Sequence, residues 1–288
     1  MPITTRQREL RRNHLGSSDM AAILGVSPYS NAYNIWLDKT GQLEEQPAND
    51  AMVAGNRFES GVLEFAEGQL GKLRKGGVRT NKTYYLKSHM DAVVIEPQEP
   101  VEAKTGGLFG PLVGNWGEPE TDEVPEWVIV QCHVHMMCMN DTDVCHVPTF
   151  LGGRGFNMYH VYRDHDICDA IADHAVDFWE NHVVNRVPPP NEIPSLSVIK
   201  RIRHTPDKIT EVDPALVEEW QRSKLARLDA QKLEDIAKAQ LLAAIGDAEA
   251  ATYGDSKKWL TKYEQVKKAH EVKESKYRVL RTTNKPKG

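Results

Sequence analysis

Two acids and an amine stand close together in the first half of this chain of 288 residues. Asp91 lies in His89-Met90-Asp91-Ala92-Val93-Val94-Ile95, and Glu102 and Lys104 lie in Val101-Glu102-Ala103-Lys104. Successive side chains of an extended segment point to opposite faces, so Glu102 and Lys104 share one face and Val101 and Ala103 the other. Glu96-Pro97-Gln98-Glu99-Pro100 between them has turn chemistry, its prolines ending one strand and releasing the next. The expected element is a hairpin with Asp91 and Glu102 meeting at one end. Paired carboxylates there make a hard-oxygen site suited to Mg²⁺ or Mn²⁺. Charged residues are mostly exposed, so a solvent-facing hairpin with ordinary charges fits the same stretch.

Three other groups of residues carry chemistry. Arg6, Arg8, Arg11, Arg12 and His14 form a basic run ahead of Leu15-Gly16-Ser17-Ser18-Asp19 and the short apolar helix pattern Met20-Ala21-Ala22-Ile23-Leu24, stopped by Gly25. Ser or Asp before a helix is a capping signal, and the unpaired N–H groups there attract an anion such as phosphate, which the arginines would grip further. A plain N-cap is the alternative. Glu59 lies beside the apolar stripe of a helix expected over 50–70, where it also reads as an ordinary surface acid. A helix expected over 126–139 carries Gln131, Cys132, His133, His135 and Cys138. His135 and Cys138 could face a metal together, but the surrounding methionines and the lack of a second ligand pair favour a packed helix.

The elements that must position these groups follow from periodicity and punctuation. A helix is expected over 32–40, closed by Gly41, and a Lys-, Arg- and Gly-rich loop over 71–80 leads to a strand over 83–86. Residues 105–125 read as a long Gly/Pro-rich, partly acidic loop, of the kind that often lies beside bound substrate. Strands are expected over 145–150 and 156–162 around a glycine-rich turn, then a helix over 167–185. Pro188-Pro189-Pro190 ends a first domain. Asp213-Pro214, an N-cap followed by Pro at the first helical position, opens a long helix to Ile245 whose apolar stripe is not a clean heptad. Gly246 and Gly254 flank a break before a second, basic helix over 262–280.

The expected division is 1–187 as the core, 188–212 as a proline-rich linker and 213–288 as a helical hairpin. That hairpin would dock on the core or on a sister subunit, with a solvated charged face or DNA contact as the other readings.

Composition excludes several classes. No apolar run is long enough to span a bilayer, and the first residues lack the apolar core of a signal peptide, so a cytoplasmic protein is the expectation. Cys132, Cys138, Cys145 and Cys168 lack C-x-x-C spacing, which argues against a zinc ribbon or redox motif. A net charge of −5 is not that of a nucleic-acid binder overall, although a phosphate track needs only a local basic stripe.

Taken in order, these stretches resemble the lambda-type, or YqaJ-like, viral exonuclease family of the PD-(D/E)xK nuclease superfamily. The resemblance runs over roughly 6–185. Arg11 with Leu15-Gly16-Ser17-Ser18-Asp19, followed by Ile23-Leu24-Gly25 and Ser27-Pro28-Tyr29, is similar to its N-terminal phosphate-binding motif. Gly55-Asn56-Arg57-Phe58-Glu59 is similar to its helix motif, Asp91 and Glu102-Ala103-Lys104 to its catalytic hairpin, and Gln131 to the glutamine of its next helix. Trp127 stands where that pattern has a tyrosine.

The resemblance implies an α/β (α+β) fold, a restriction-endonuclease-like central mixed sheet flanked by helices, with a C-terminal helical extension. It implies a Mg²⁺-dependent (or Mn²⁺-dependent) deoxyribonuclease with two ions held by Asp91, Glu102, the Ala103 carbonyl and Glu59. Lys104 would hold or help deprotonate the attacking water, and Gln131 would orient Lys104 or the water. Arg11 and Ser18 would anchor the 5′ phosphate of a double-stranded DNA end, giving 5′-to-3′ digestion that leaves 3′ single strands for a phage annealing protein. A homo-oligomer enclosing DNA in the cytoplasm of a phage- or prophage-bearing bacterium completes the expectation. A structure-specific endonuclease or junction resolvase of the same fold, and a non-catalytic helical assembly or DNA-packaging protein, are the competing readings.

Overall fold

The computed structural model describes residues 12–44, 50–106, 116–139, 142–190, 193–203, 205, 208–254 and 258–261. The chain divides into two compact units, 1–203 and 204–288.

The first unit is built on two long strands that share their neighbours. Strand β1 (Leu15–Gly16) leads into helix α1 (Ser17–Ile23), followed by α2 (Ala32–Lys39), α3 (Asp50–Leu70), β2 (Leu73–Asn81), β3 (Leu86–Val94), β4 (Pro100–Val101) and β5 (Lys104–Gly106). Helix α4 (Glu126–Cys138), strands β6 (Val144–Leu151) and β7 (Gly155–Tyr162) and helix α5 (His165–Asp177), which runs into a π-helical turn at Phe178–Val184, complete the core. Antiparallel β2 lies along one side of β3, while β1, parallel at its start, and β4, antiparallel at its end, share the other. Likewise β6 takes β4 and then β5 in parallel on one side and β7 antiparallel on the other. The expected mixed sheet flanked by helices is therefore present.

Helix α4 shows why its sequence has no clear polar face. Ten of its residues, Val128 and Val130 to Cys138 among them, are buried, because it is packed on two sides. Val130, Val134, Met137 and Cys138 join α1, α2 and α5 in one apolar cluster, while Val128, Cys132 and Met136 meet Cys145, Val147 and Tyr159 of the sheet in another. On the opposite face of the sheet, Leu63 and Leu70 of α3 pack against Ala92, Val94 and Val101, and Phe58 stacks on Phe150. The sheet is thus held between α3 and α4, and the hairpin of β3 and β4 runs between them.

One expectation is corrected. Residues 71–80, read as a loop, form most of the nine-residue β2, and 83–85, read as a strand, belong to the turn before β3. Lys, Arg and Gly hide this strand because it is an edge, and edges carry such residues where an interior strand carries Val and Ile. Its pairing places Gly76 opposite Asp91, between the pairs Lys75–Ala92 and Gly77–Met90. A Cβ at Gly76 would stand 2.0 Å from the Met90 carbonyl oxygen, so the two strands approach there as only glycine allows.

Past the proline run, the chain still belongs to this unit. Asn31 donates its side-chain amide to the Ile193 carbonyl at 2.8 Å, Leu43 pairs with Ile202, and Arg203 N–H donates to the Gln42 carbonyl at 2.8 Å, on either side of the short α6 (Leu196–Ile199). In the second unit, Asp213 caps the 32-residue α7 (Pro214–Ile245) by accepting from Ala215 N–H at 2.9 Å, as the Asp-Pro signal foretold. The break after Gly246 holds a strand, β8 (Ala250–Tyr253), paired antiparallel with β9 (Lys258–Thr261). The helix expected over 262–280 lies outside the described residues.

Candidate active site

The strand pairing of β3 with β4 and β6 sets the acids. Between β4 and β5 the chain leaves the regular ladder for two residues. Glu102 N–H still donates to the His146 carbonyl at 2.9 Å, but Ala103 N–H turns to donate to Asp91 Oδ2 at 2.8 Å. That bond joins the two halves of the expected hairpin site. Glu102 is 7% exposed and its carboxylate is gripped from two directions: Lys104 Nζ donates to Oε1, and His135 Nε2 to Oε2 at 2.9 Å. The other ring nitrogen of His135 meets Ser88 Oγ at 2.6 Å. Lys104 Nζ also lies 5.1 Å from the centre of the Trp127 ring, a cation–π contact.

Electrostatics divides the two acids. Burial, then the Glu102 charge, pushes the Asp91 carboxyl up to about 8, with Lys104 and the Ala103 N–H opposing. Burial acts on Glu102 in the same sense but is outweighed by Lys104 and His135, which bring it down to about 2. Lys104 is desolvated too, yet Glu102 and Asp91 raise it above its ordinary value, so it stands as the ammonium. Two carboxyls in one buried place repel, and the Lys104 ammonium offsets that repulsion chiefly for Glu102.

Two cavities open on this cluster. One, of about 190 Å³, is lined by Glu102, Gln131, Ser18, Lys39, Lys87 and His89, among others. Gln131 is 6% exposed, and its Oε1 is buried without a hydrogen-bond partner. Lys39, buried, is held by Asp19 Oδ2 at 2.6 Å, and the same oxygen accepts from Gly16 N–H at 2.7 Å to cap α1. The other cavity, of about 450 Å³, lies along α3 and contains Glu59 and Asp91. Ser18, Gln131 and Glu102 therefore meet in one cavity, and Glu59 and Asp91 in the other. Arg11 lies outside the described residues, as do 107–115 of the loop that follows the hairpin.

Oxygens of the kind a hard divalent cation takes are present: the carboxylates of Asp91 and Glu59 line one cavity and that of Glu102 the other. In this arrangement, however, both Glu102 oxygens are already bonded, and no three His, Cys, Asp or Glu side chains among the described residues are grouped as a metal cage.

Sequence reasoning missed three contributors. His135 reads as a packing residue and is indeed buried, but it also holds Glu102 across 33 positions. Ser88 and Lys39 carry no sequence signal, since their partners lie on other elements.

The fold and site define a helix-flanked mixed sheet carrying a buried acid–lysine cluster. Residues 8–143, just under half of the chain, match the family model of the YqaJ-like viral recombinase domain, in line with the resemblance read from the motifs. The chain is also similar to the uncharacterized protein YqaJ of Bacillus subtilis (strain 168), 26% identical over 179 residues, 60% of this chain and 54% of that protein. It thus spans about half the length of that relative. Two crystal structures are similar to part of this chain. The alkaline exonuclease LHK-Exo from Laribacter hongkongensis is 16% identical, with a TM-score of 0.47, over 64% of this chain and 94% of that one. The phage related exonuclease from Haemophilus somnus 129PT is 15% identical, with a TM-score of 0.46, over 62% and 99%.

Proposed function

We propose that the chain is a metal-dependent deoxyribonuclease that digests one strand of linear double-stranded DNA from the 5′ end. The observation that carries this reading is the junction of two features in one cavity: Glu102, the acid that holds Lys104, and a basic, hydroxyl-bearing wall. Lys39, Lys87, His89 and Ser18 line the same 190 Å³ space as Glu102 and the partnerless Gln131 oxygen. A phosphate is the ligand such a wall suits, and its place beside Glu102 sets the next phosphodiester against Lys104. Local cations are what a chain of net charge −5 would use to hold DNA.

Lys104 acts through its charge. Bonded to Glu102 and set over the Trp127 ring, it holds an ammonium where negative charge develops on the phosphate oxygens. Glu102 fixes that ammonium, and His135 with Ser88 fixes Glu102. Gln131 offers a free carbonyl oxygen to a water proton. Asp91, Glu102, Glu59 and the Ala103 carbonyl are the groups that would hold Mg²⁺ or Mn²⁺, which when bound supplies Lewis-acid polarisation of the phosphate. Held as the ammonium, Lys104 suits the part of holding the attacking water. The 3′ single strand left behind is a substrate for annealing proteins, and an enclosing homo-oligomer is the assembly that fits continued digestion.

Digestion of a linear duplex with and without a 5′ phosphate, with and without Mg²⁺, with strand polarity read from end labels, tests this. Phosphate-dependent loss of the 5′ label before the 3′ label is expected. Cutting of closed circles, indifferent to the 5′ phosphate, would make the protein an endonuclease of the same chemistry. Absence of any hydrolysis would favour an assembly role.

A further inference from the structure

Tyr29 is a large aromatic side chain that the fold leaves 59% exposed beside the buried cluster. The turn that carries it is firmly held. Val26 and Ser27 N–H both donate to the Ala21 carbonyl at 3.0 Å, Tyr29 N–H donates to Ser27 Oγ at 3.2 Å, and Pro28 fixes its own φ between them. The Tyr29 ring meets Trp127 edge to face, with centroids 5.8 Å apart and planes at 82°. Trp127 in turn carries Lys104 over its ring. Tyr29, Trp127 and Lys104 therefore form a continuous series from solvent to the acid cluster.

A cavity of about 440 Å³ opens between this turn and the start of α4, lined mainly by Val26, Pro28, Val124, Pro125 and Trp127. Among the described residues its one charged lining residue is the acid Glu126, which disfavours a phosphate there. Its walls suit a flat, uncharged ring. A nucleotide whose phosphate lies against Lys104 has such a ring attached within reach, and bases stack on aromatic side chains irrespective of their identity.

We propose that Tyr29 and Trp127 form a platform that receives a nucleobase of the strand being cut, placing the neighbouring phosphate against Lys104. The inference rests on the reading of the chain as a DNA nuclease. Tyr29 is on this view a positioning residue: it acts on the base, and through the base on the phosphate. Loss of one stacked base weakens binding by about 5- to 150-fold.

The test uses the full chain and 5′-phosphorylated duplexes carrying a single abasic tetrahydrofuran nucleotide at the first, second or third position from the 5′ end. Single-turnover hydrolysis in Mg²⁺ and equilibrium binding of a fluorescent duplex are measured side by side. The unaltered protein is expected to slow about tenfold at one of the three positions. Tyr29→Ala is expected to slow about tenfold on normal DNA and no further on the abasic duplex, and Tyr29→Phe to restore the response to the base.

Additive losses, or indifference of the unaltered protein to base removal at all three positions, overturn the platform while leaving hydrolysis standing. The second of these needs no variant, so a misfolded Tyr29→Ala does not shield the idea. No hydrolysis, but binding about tenfold weaker without the base, keeps the platform and removes the nuclease reading. Neither hydrolysis nor base-dependent binding overturns both.

Discussion

Two chains of histidine and carboxylate run through the sheet on either side of Val101, and they are built differently. The first is Ser88–His135–Glu102–Lys104, and every member but Lys104 is buried. A neutral His135 satisfies it completely: the Ser88 hydroxyl donates to Nδ1, and Nε2–H donates to Glu102. The second is Glu99–His146–His160–Glu120, with contacts of 2.8, 2.8 and 3.1 Å, and it ends at a glutamate whose side chain is 68% exposed.

In this second chain both Nε2 atoms face carboxylates, so each must carry a proton, and the two Nδ1 atoms then face each other as acceptors. A third proton is needed to make every bond, while burial pushes His146 down against the pull of Glu99. The same residue types thus give a fixed support in one place and a conditional tie in the other. What separates them is whether one protonation state satisfies all members.

The contrast breaks first at the end of the fixed chain. Lys104→Ala is expected to lower single-turnover DNA hydrolysis by about 10²- to 10⁴-fold, the range for loss of a positioned charged group, and to lower the urea midpoint as well, because it leaves the buried Glu102 carboxylate without its cation. His135→Leu leaves Glu102 Oε2 and Ser88 Oγ buried without partners. Its unfolding free energy in urea should fall by about 3 kcal/mol, and a loss below about 1 kcal/mol would make the two chains equivalent. The matching change in the other chain, His146→Leu, should cost about 1 kcal/mol, because Glu99 can turn to water.

Acid sensitivity sharpens the picture through a fourth histidine, outside both chains. His133 accepts from Asp164 N–H at 3.0 Å and is bonded to the Ile129 carbonyl at 2.8 Å, and burial holds its pKa below the ordinary 6.5. Below pH 6.5 the unfolded chain therefore binds a proton that the folded one resists. This contribution to stability is complete above 6.5 and lost as the pH falls beneath it. Urea midpoints between pH 7.5 and 5 should decline, and decline less in His133→Gln. The smallest effect is assigned to the exposed end, where Glu120→Gln should change stability by no more than about 0.5 kcal/mol.

Much of the fold was legible because its signals are local. The 3.6 period marks 32–39 and 50–70, and Asp213-Pro214 marks the start of α7. The turn between the two prolines also announced that the segments carrying Asp91 and Glu102 would pair, and the order of the motifs along the chain announced the family likeness. What stayed hidden depends on partners distant in sequence. No spacing rule links Ser88 to His135, Lys39 to Asp19, or Tyr29 to Trp127, and strand β2 was disguised by the charges of an edge. The division of the site residues between two cavities was hidden too, since it follows from how α3 and α4 approach the sheet from opposite faces.

The close approach at Gly76 gives the molecule an intolerance that no list of functional groups would reveal. Adding one methyl there forces β2 away from the Met90 carbonyl, and the residue next along is Asp91. A reacting group moved by about 1 Å costs about a hundredfold in rate. A screen of random substitutions should therefore find a dead protein with every acid, lysine and histidine intact, its lesion at a position that has no side chain to lose.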